Sequence, residues 1–247
     1  MKRIFFFLIF PLLLFAQDAA IVEPIVLIDF PTAGTLLRGS FNAHLRAYDE
    51  GGLLGGVDVG LTDRFMIGLS YGGTNVIGRG PVNGNPQVGA HVRYRLIEED
   101  FNIPAITIGY NSQGFGSFID STKRFQNKSV GAFAAVSKNY EFLGLLGLHG
   151  GINYSFETGD GDTDPNFFVG VDKSINPELT LMAEYDFALN DNDGRSAGTG
   201  KGYLNAALTW VFAGRLRIDF ILKNILKNTE KFAEISREIR ISYIEIF

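Results

Sequence analysis

Three histidines, His44, His91 and His149, are the residues with the clearest capacity for chemistry. A histidine beside a serine and an acidic or amide side chain would activate a nucleophile, as in outer-membrane lipid hydrolases and acyltransferases. Each of the three falls on or near the polar side of an alternating segment, and no serine stands in a recognisable pairing motif. The sequence therefore favours hydrogen-bonding roles for the histidines and predicts neither catalytic residues nor a cofactor.

Carboxylates are spaced at every second position in Asp160, Asp162 and Asp164, which matches the opening of a calcium-binding loop. The match then fails, because Pro165 stands where a calcium loop has the glycine of its sharp turn, and Val171 stands where the loop has its last glutamate. These three aspartates are weak calcium candidates. The pattern favours a solvated acidic loop tip that cations could bridge to lipopolysaccharide.

The first residues have the form of a secretory signal. Met1, Lys2 and Arg3 precede an apolar stretch that ends near Ala16, and this stretch is shorter than the roughly 20 residues of a spanning helix. We expect 1–16 to be a signal peptide, with cleavage after Ala19 or Ala20 as the alternatives. The chain has no cysteine and a formal net charge of −5, which argues against disulfides, a lipoprotein anchor and nucleic-acid binding.

Apolar and polar residues alternate with period two through most of the remaining chain, which is typical of β-strands with two unlike faces. The runs number roughly twelve, and each is near the 9–11 residues that a tilted membrane-spanning strand needs. The apolar faces would contact lipid. The opposite faces would line a lumen, and they carry His44, Arg46, Asp58, His91, Arg93, Arg95, Glu184, Asp186, Arg217, Asp219 and Arg240.

The connections between runs alternate between short and long, with 49–52 as the one short connection where a long one is expected. Outer-membrane barrels have short periplasmic turns and long outer loops. The sequence thus predicts an all-β fold, a single antiparallel transmembrane β-barrel over 38–247, with both termini in the periplasm.

Two segments at the ends of this barrel have separate roles. Residues 17–37 do not alternate well, so they are either a periplasmic lead-in or a small plug that folds into the lumen. The last strand ends on Tyr243 and Phe247, which we interpret as the signal that the barrel assembly machinery recognises.

Four short blocks resemble one known family; they are 30–39, 93–99, 103–109 and 135–138. They are similar to segments of the YjbH-like exopolysaccharide-associated outer-membrane proteins and together cover roughly the first half of the mature chain. The resemblance implies a role in secretion or surface deposition of polysaccharide and implies no catalytic residues. Members of that family are typically much larger than this chain.

The leading hypothesis is a non-enzymatic barrel in the outer membrane of a Gram-negative bacterium, linked to exopolysaccharide or envelope secretion as a narrow pore or a structural element. The alternatives are a lipid-modifying enzyme and a surface-binding barrel that acts through its acidic outer loops. Expected partners are membrane lipid, lipopolysaccharide and the assembly machinery, with polysaccharide as a candidate. Sugar stacking would need aromatic rings on the lumen face, where the candidates are Tyr48, Phe133, Phe168 and Tyr203.

Overall fold

A computed structural model describes residues 23–229 and 235–247, so the expected signal peptide lies outside the described residues. The described residues contain fifteen β-strands and one short 3₁₀ helix, 189–191. No helix among them has the length and apolar character needed to cross a bilayer.

Twelve of the strands form one closed antiparallel barrel, as predicted. These strands are β1 (Ser40–Tyr48), β2 (Gly52–Thr62), β3 (Phe65–Thr74), β5 (Gly89–Ile97), β6 (Ala105–Asn111), β9 (Gly131–Glu141), β10 (Leu145–Tyr154), β11 (Asn166–Ser174), β12 (Leu179–Asp186), β13 (Tyr203–Phe212), β14 (Leu216–Lys223) and β15 (Ser236–Ile246). The first and last strands pair with each other, with Asn42 opposite Ile244, and this pairing closes the ring. Closure matters because lipid offers no partners for an open strand edge.

Three further strands belong to the connections. The two-residue β4 (Asn83–Gly84) pairs with the end of β3, and β7 (Phe115–Ile119) pairs with β8 (Arg124–Asn127) as a separate hairpin. The alternation in the sequence predicted no strands in these connections.

The two faces of the barrel wall differ sharply in polarity. Large apolar side chains face outward; Leu69 is 61% exposed and Phe167 is 47% exposed. Inward-facing side chains include Asp219, which is fully buried, and Asp58, which is 3% exposed. A soluble β-protein would bury the apolar face instead, so this wall fits an apolar bilayer outside and a polar interior.

Candidate functional site

Residues 23–37, the N-terminal hairpin, lie inside the barrel. The chain reverses through a bridge between Val26 and Pro31, and the backbone N–H of Leu27 donates to the carbonyl of Phe30 at 3.1 Å. Residues 27–30 form the hairpin tip. The described part of 17–37 therefore lies among lumen side chains, and the choice between a lead-in and a plug stays a prediction.

The carboxylate of Glu184 on β12 holds the hairpin tip. Its Oε2 accepts the backbone N–H groups of Ile28 at 3.1 Å, Asp29 at 3.0 Å and Phe30 at 2.9 Å. Consecutive N–H groups that converge in this way form a concave anion-binding nest. A side chain of Asn205 donates to the second carboxylate oxygen at 3.2 Å and fixes its orientation.

Two arginines on adjacent strands donate hydrogen bonds to carbonyl groups of the tip. Arg46 on β1 donates to the carbonyl of Ile28 at 3.2 Å, and Arg240 on β15 donates to the same oxygen at 3.0 Å. Arg240 also reaches the carbonyl of Leu27 at 2.6 Å. Because the carbonyls of Leu27 and Ile28 accept from guanidinium groups, these two carbonyls need no backbone partner.

Asp29, at the tip, is neutralised by two cations. Its carboxylate lies 2.8 Å from Arg46 and 2.7 Å from Lys223 of β14. Glu238 of β15 also pairs with Arg46, at 2.6 Å. The tip is thus one member of a buried charge network, in which every ion has an opposite partner.

The opposite side of the barrel holds the rest of the hairpin. Arg93 donates to the carbonyls of Ile25 at 2.7 Å and Gly34 at 2.6 Å. Arg95 and Thr107 both donate to the carbonyl of Ala33, at 3.1 and 2.7 Å. Hydrogen bonds from several strands therefore position the hairpin across the lumen.

The apolar contacts of the hairpin are few. Phe30 stacks on Phe168 with ring centroids 4.6 Å apart, next to Phe133. Leu27 and Ile28 pack in a second small cluster with Met182. The hairpin therefore covers Phe133 and Phe168, two of the four lumen rings that we considered for sugar stacking.

The remaining predicted lumen charges also lie in the interior. Asp219 accepts hydrogen bonds from Arg217 at 2.7 Å, Arg240 at 2.6 Å and Thr209 at 2.6 Å. Asp186 accepts a hydrogen bond from Asn166 at 2.7 Å, at the end of β12 that lies away from the chain termini. These groups satisfy one another and do not contact the hairpin directly, with Arg240 as the exception.

The histidines take part in two Ser–His–Asp arrangements that the sequence analysis missed. His149 lies 2.7 Å from the hydroxyl of Ser137 and 2.7 Å from Asp172. These residues come from three successive strands, β9 to β11, so the pairing register alone could have revealed them.

The second arrangement joins β2, β3 and β5. His91 lies 3.1 Å from Ser70 and 3.0 Å from Asp58, which is also 3.5 Å from His44. In both arrangements the serine is buried in the barrel interior, and Ser137 already accepts the backbone N–H of Ala33 at 2.8 Å. The histidines thus have the hydrogen-bonding roles that the sequence favoured, but with serine partners.

A second structure lies at the end of the barrel opposite to the chain termini, which we call the outer end in keeping with the predicted orientation. The β7–β8 hairpin, which we call the outer hairpin, places Arg124 2.6 Å from Asp160 and 2.5 Å from Asp191. Lys128 adds a contact of 2.9 Å to Asp160. Burial alone would raise the pKa of Asp160, but these two cations hold it below its usual value.

The expectation of a solvated acidic tip at 160–164 is therefore wrong for two of its three carboxylates. Asp160 and Asp162 are buried, and Asp162 accepts the backbone N–H groups of Asn192 at 2.9 Å and Asp193 at 3.1 Å. Only Asp164 is exposed. Among the residues that the structure describes, no group of three acidic, histidine or cysteine side chains is placed to hold a metal ion.

The chain terminus lies at the seam of the barrel. The backbone N–H of Phe247 donates to the carbonyl of Gly39 at 2.8 Å, and its ring lies 5.1 Å from that of Phe41. Tyr243 contacts the same Phe41 ring at 6.3 Å. Both predicted terminal aromatics therefore lie beside the first strand.

Comparison with known proteins gives a match in fold and none in sequence. No family model and no curated protein matches this chain. The solved KdgM porin superposes with a TM-score of 0.51 at 9% identity, over 84% of this chain and 99% of that one. A KdgM porin in complex with disordered oligogalacturonate gives 0.51 at 10% identity, and the NanC porin gives 0.49 at 10%; each covers 84% of this chain and 99% of the other.

The protein therefore has the fold of the outer-membrane porin barrels. The closed wall and its apolar exterior place it in the outer membrane of a Gram-negative cell. At these identities the match shows the fold alone. The resemblance to YjbH-like proteins stays a prediction, as does the periplasmic position of the termini.

Proposed function

We propose that the protein is a non-enzymatic, porin-like barrel that serves polysaccharide traffic across the outer membrane and that its N-terminal hairpin is a displaceable plug. The observation that carries the proposal is how the hairpin is held. Its contacts to the wall are hydrogen bonds and ion pairs, with only small apolar clusters. Each such hydrogen bond to a charged side chain contributes about 1.5–3 kcal/mol net, because water replaces it on opening.

Displacement of the hairpin would change the lumen in a way that suits sugars. The guanidinium groups of Arg46, Arg93 and Arg240 would lose their carbonyl partners and become available donors. The rings of Phe133 and Phe168 would be uncovered. Aromatic faces combined with fixed hydrogen-bond donors favour polyhydroxylated ligands. The KdgM porin solved with oligogalacturonate is an example of this fold in complex with a saccharide.

The experiment has a cellular arm and a transport arm. Deletion of the gene in the source bacterium is expected to lower the amount of surface polysaccharide, and the wild-type gene is expected to restore it. In proteoliposomes, a variant with a weakened hairpin should release trapped oligosaccharide faster than the wild type. Unchanged surface polysaccharide together with equal release would contradict the proposal.

A lipid-modifying enzyme is the second candidate, because Ser137, His149 and Asp172 form a hydrogen-bonded chain. Their burial in the lumen argues against an enzyme, since lipid lies on the other face of the wall. The hydroxyl of Ser137 also already accepts the backbone N–H of Ala33. A fluorophosphonate probe labels activated serines. We expect no labelling of the folded protein, and labelling that Ser137→Ala removes would favour the enzyme.

A further inference from the structure

Ser137 on β9 joins the barrel wall to the N-terminal hairpin through its hydroxyl. The oxygen accepts the backbone N–H of Ala33 at 2.8 Å and lies 2.7 Å from Nδ1 of His149 on β10. These are the two hydrogen bonds of this hydroxyl among the residues that the structure describes, and the serine is only 5% exposed. Nδ1 of His149 is therefore the acceptor for the hydroxyl proton.

This pattern assigns the tautomer of His149. Because the hydroxyl of Ser137 donates to Nδ1, that nitrogen carries no proton while the hairpin is in place. The ring proton is then on Nε2, which lies 2.7 Å from the carboxylate of Asp172 on β11. The imidazole is thus neutral and lies between a donor on one side and an acceptor on the other.

The sequence of β10 leaves room for this imidazole. Gly147 is the preceding inward-facing position of the strand, and a Cβ there would clash with the carboxylate of Asp172 and with Nε2 of His149. A glycine inside a strand often marks such a close approach. The contact between His149 and Asp172 therefore depends on the missing side chain at 147.

The groups that face His149 come from three elements. Asp172 of β11 is charged, whereas Ser137 of β9 and the backbone of Ala33 in the hairpin are neutral. Arg95 of β5 donates to the carbonyl of Ala33 at 3.1 Å. Asp172 belongs to the wall, so it stays beside His149 whether the hairpin is in place or displaced. The contact that changes with the hairpin is the one through Ser137.

Protonation of Nδ1 would convert the acceptor of Ser137 into a donor. The hydroxyl proton would then lack an acceptor, which is costly in a buried place, or the hydroxyl would turn away and leave the N–H of Ala33 without its acceptor. Displacement of the hairpin removes this conflict, because water can then reach Ser137. Protonation of His149 and displacement of the hairpin therefore favour each other, since linkage is reciprocal.

From this geometry we propose that Ser137, His149 and Asp172 form a proton-operated latch, which holds the N-terminal hairpin in the lumen while His149 is neutral and loosens it on acidification. The inference deepens the proposed function, because it names what regulates displacement of the hairpin, and it rests on that function for any effect on transport. The loosening itself is measured without transport.

The test is hydrogen exchange of the folded full chain in detergent, followed by mass spectrometry of peptides that cover 32–36. Exchange rates are converted to protection factors, which correct for the pH dependence of intrinsic exchange. Measurements at about pH 8 and about pH 5.5 lie towards the two ends of the range in which histidines titrate. Heat-modifiable migration on a gel shows that each variant is folded.

The variants separate the latch from other titrating groups. His149→Gln keeps an amide donor and an amide acceptor but does not titrate. His91→Gln is the matched control, because His91 also lies between a serine and an aspartate, and its hydrogen bonds go to Ser70 and Asp58 of the wall. Glu184 at the hairpin tip is also titratable, but it is the same in every variant.

We expect the protection of 32–36 to fall by about 5- to 150-fold on acidification in the wild type and in His91→Gln, as for one buried donor left without a partner. In His149→Gln the protection should be nearly equal at the two pH values. Ser137→Ala should give low protection at both, because the N–H of Ala33 then has no hydroxyl acceptor at any pH.

Three results would overturn the latch: equal protection at the two pH values in the wild type, an unchanged pH dependence in His149→Gln, or its loss in His91→Gln. Each would leave the release of oligosaccharide described above unaffected. Conversely, a working latch in a protein that releases no oligosaccharide would contradict the proposed function alone, so the two proposals fail separately.

Discussion

Glu184 accepts the backbone N–H of Phe30 at 2.9 Å, although the two residues are 154 positions apart in the chain. This contact joins the middle of the barrel wall to the tip of the N-terminal hairpin. It explains why a carboxylate can be buried in the lumen without an arginine partner of its own, since three backbone N–H groups converge on it. The hairpin and the wall therefore complete each other's hydrogen bonding.

Replacement of that carboxylate should loosen the hairpin tip. In Glu184→Gln a neutral amide oxygen, which is a weaker acceptor, replaces the carboxylate for the N–H groups of 28–30, and the new NH₂ group faces the side-chain donor of Asn205. We therefore expect a loss of about 1–3 kcal/mol of local stability. Hydrogen exchange of these amides, followed by mass spectrometry, should accelerate by roughly 5- to 150-fold. Exposed Glu178→Gln is the control. Equal exchange in both variants would show that the nest does not hold the tip.

The outer hairpin should depend on Asp160. Asp160→Asn leaves the buried cations Arg124 and Lys128 short of a partner, and breaking a buried pair in this way destabilises by about 3–5 kcal/mol. Trypsin should then cleave the outer hairpin faster, while the exposed Asp164→Asn variant should resemble the wild type. Cleavage at equal rates in both variants would argue against a structural role for the buried pair.

Acidification should remove the stabilisation that the ionised carboxylate of Asp160 provides. The pKa of Asp160 is lowered in the folded state, so its stabilising effect is present above the ordinary carboxyl pKa of about 3.9 and is lost as pH falls below it. The difference in thermal unfolding between the wild type and Asp160→Asn should therefore shrink below about pH 4. A difference that grows on acidification would have the wrong sign for this account.

Removal of the terminal residue should impair assembly more than stability. Deletion of Phe247 removes one backbone hydrogen bond to Gly39, worth about 0.5–1.5 kcal/mol, and its ring contact with Phe41. We expect less folded barrel in the outer membrane, measured as the heat-modifiable fraction, with a nearly normal melting temperature for what does fold. Phe142→Ala, at an exposed turn, is the control. A normal yield of the deletion variant would contradict the role of the terminal aromatic.

The barrel could be predicted because its wall obeys a local rule. Alternation such as Arg93 and Arg95 against Tyr94 is set by the two-residue period of a strand, and the alternating loop lengths supplied the rest of the topology. The two hairpins could not be predicted in this way. Segment 23–37 is held by lumen side chains distant in sequence, such as Glu184 and Arg240, and no local pattern records those contacts.

The same limit applies to the acidic loops. The spacing of Asp160 and Asp162 suggested exposed carboxylates, but their partners Arg124 and Lys128 come from a different connection. Phe118 and Phe125 pack edge to face across the outer hairpin, a contact that the alternation in the sequence does not show. The Ser137–His149 pair was likewise visible only once the register of β9 and β10 was known.

The central claim is that the N-terminal hairpin closes the lumen, and single-channel conductance in planar bilayers tests it most directly. The chain has no cysteine, so the pair Ala33→Cys and Ser137→Cys introduces a single disulfide that a reductant can remove. The two positions are adjacent, because the backbone N of Ala33 lies 2.8 Å from the Oγ of Ser137. We predict that the wild type is almost always closed, that Glu184→Gln opens more often, and that the oxidised cross-link in the Glu184→Gln background restores closure until a reductant is added. A wild-type protein that conducts steadily, with a current that the cross-link does not change, would contradict the account.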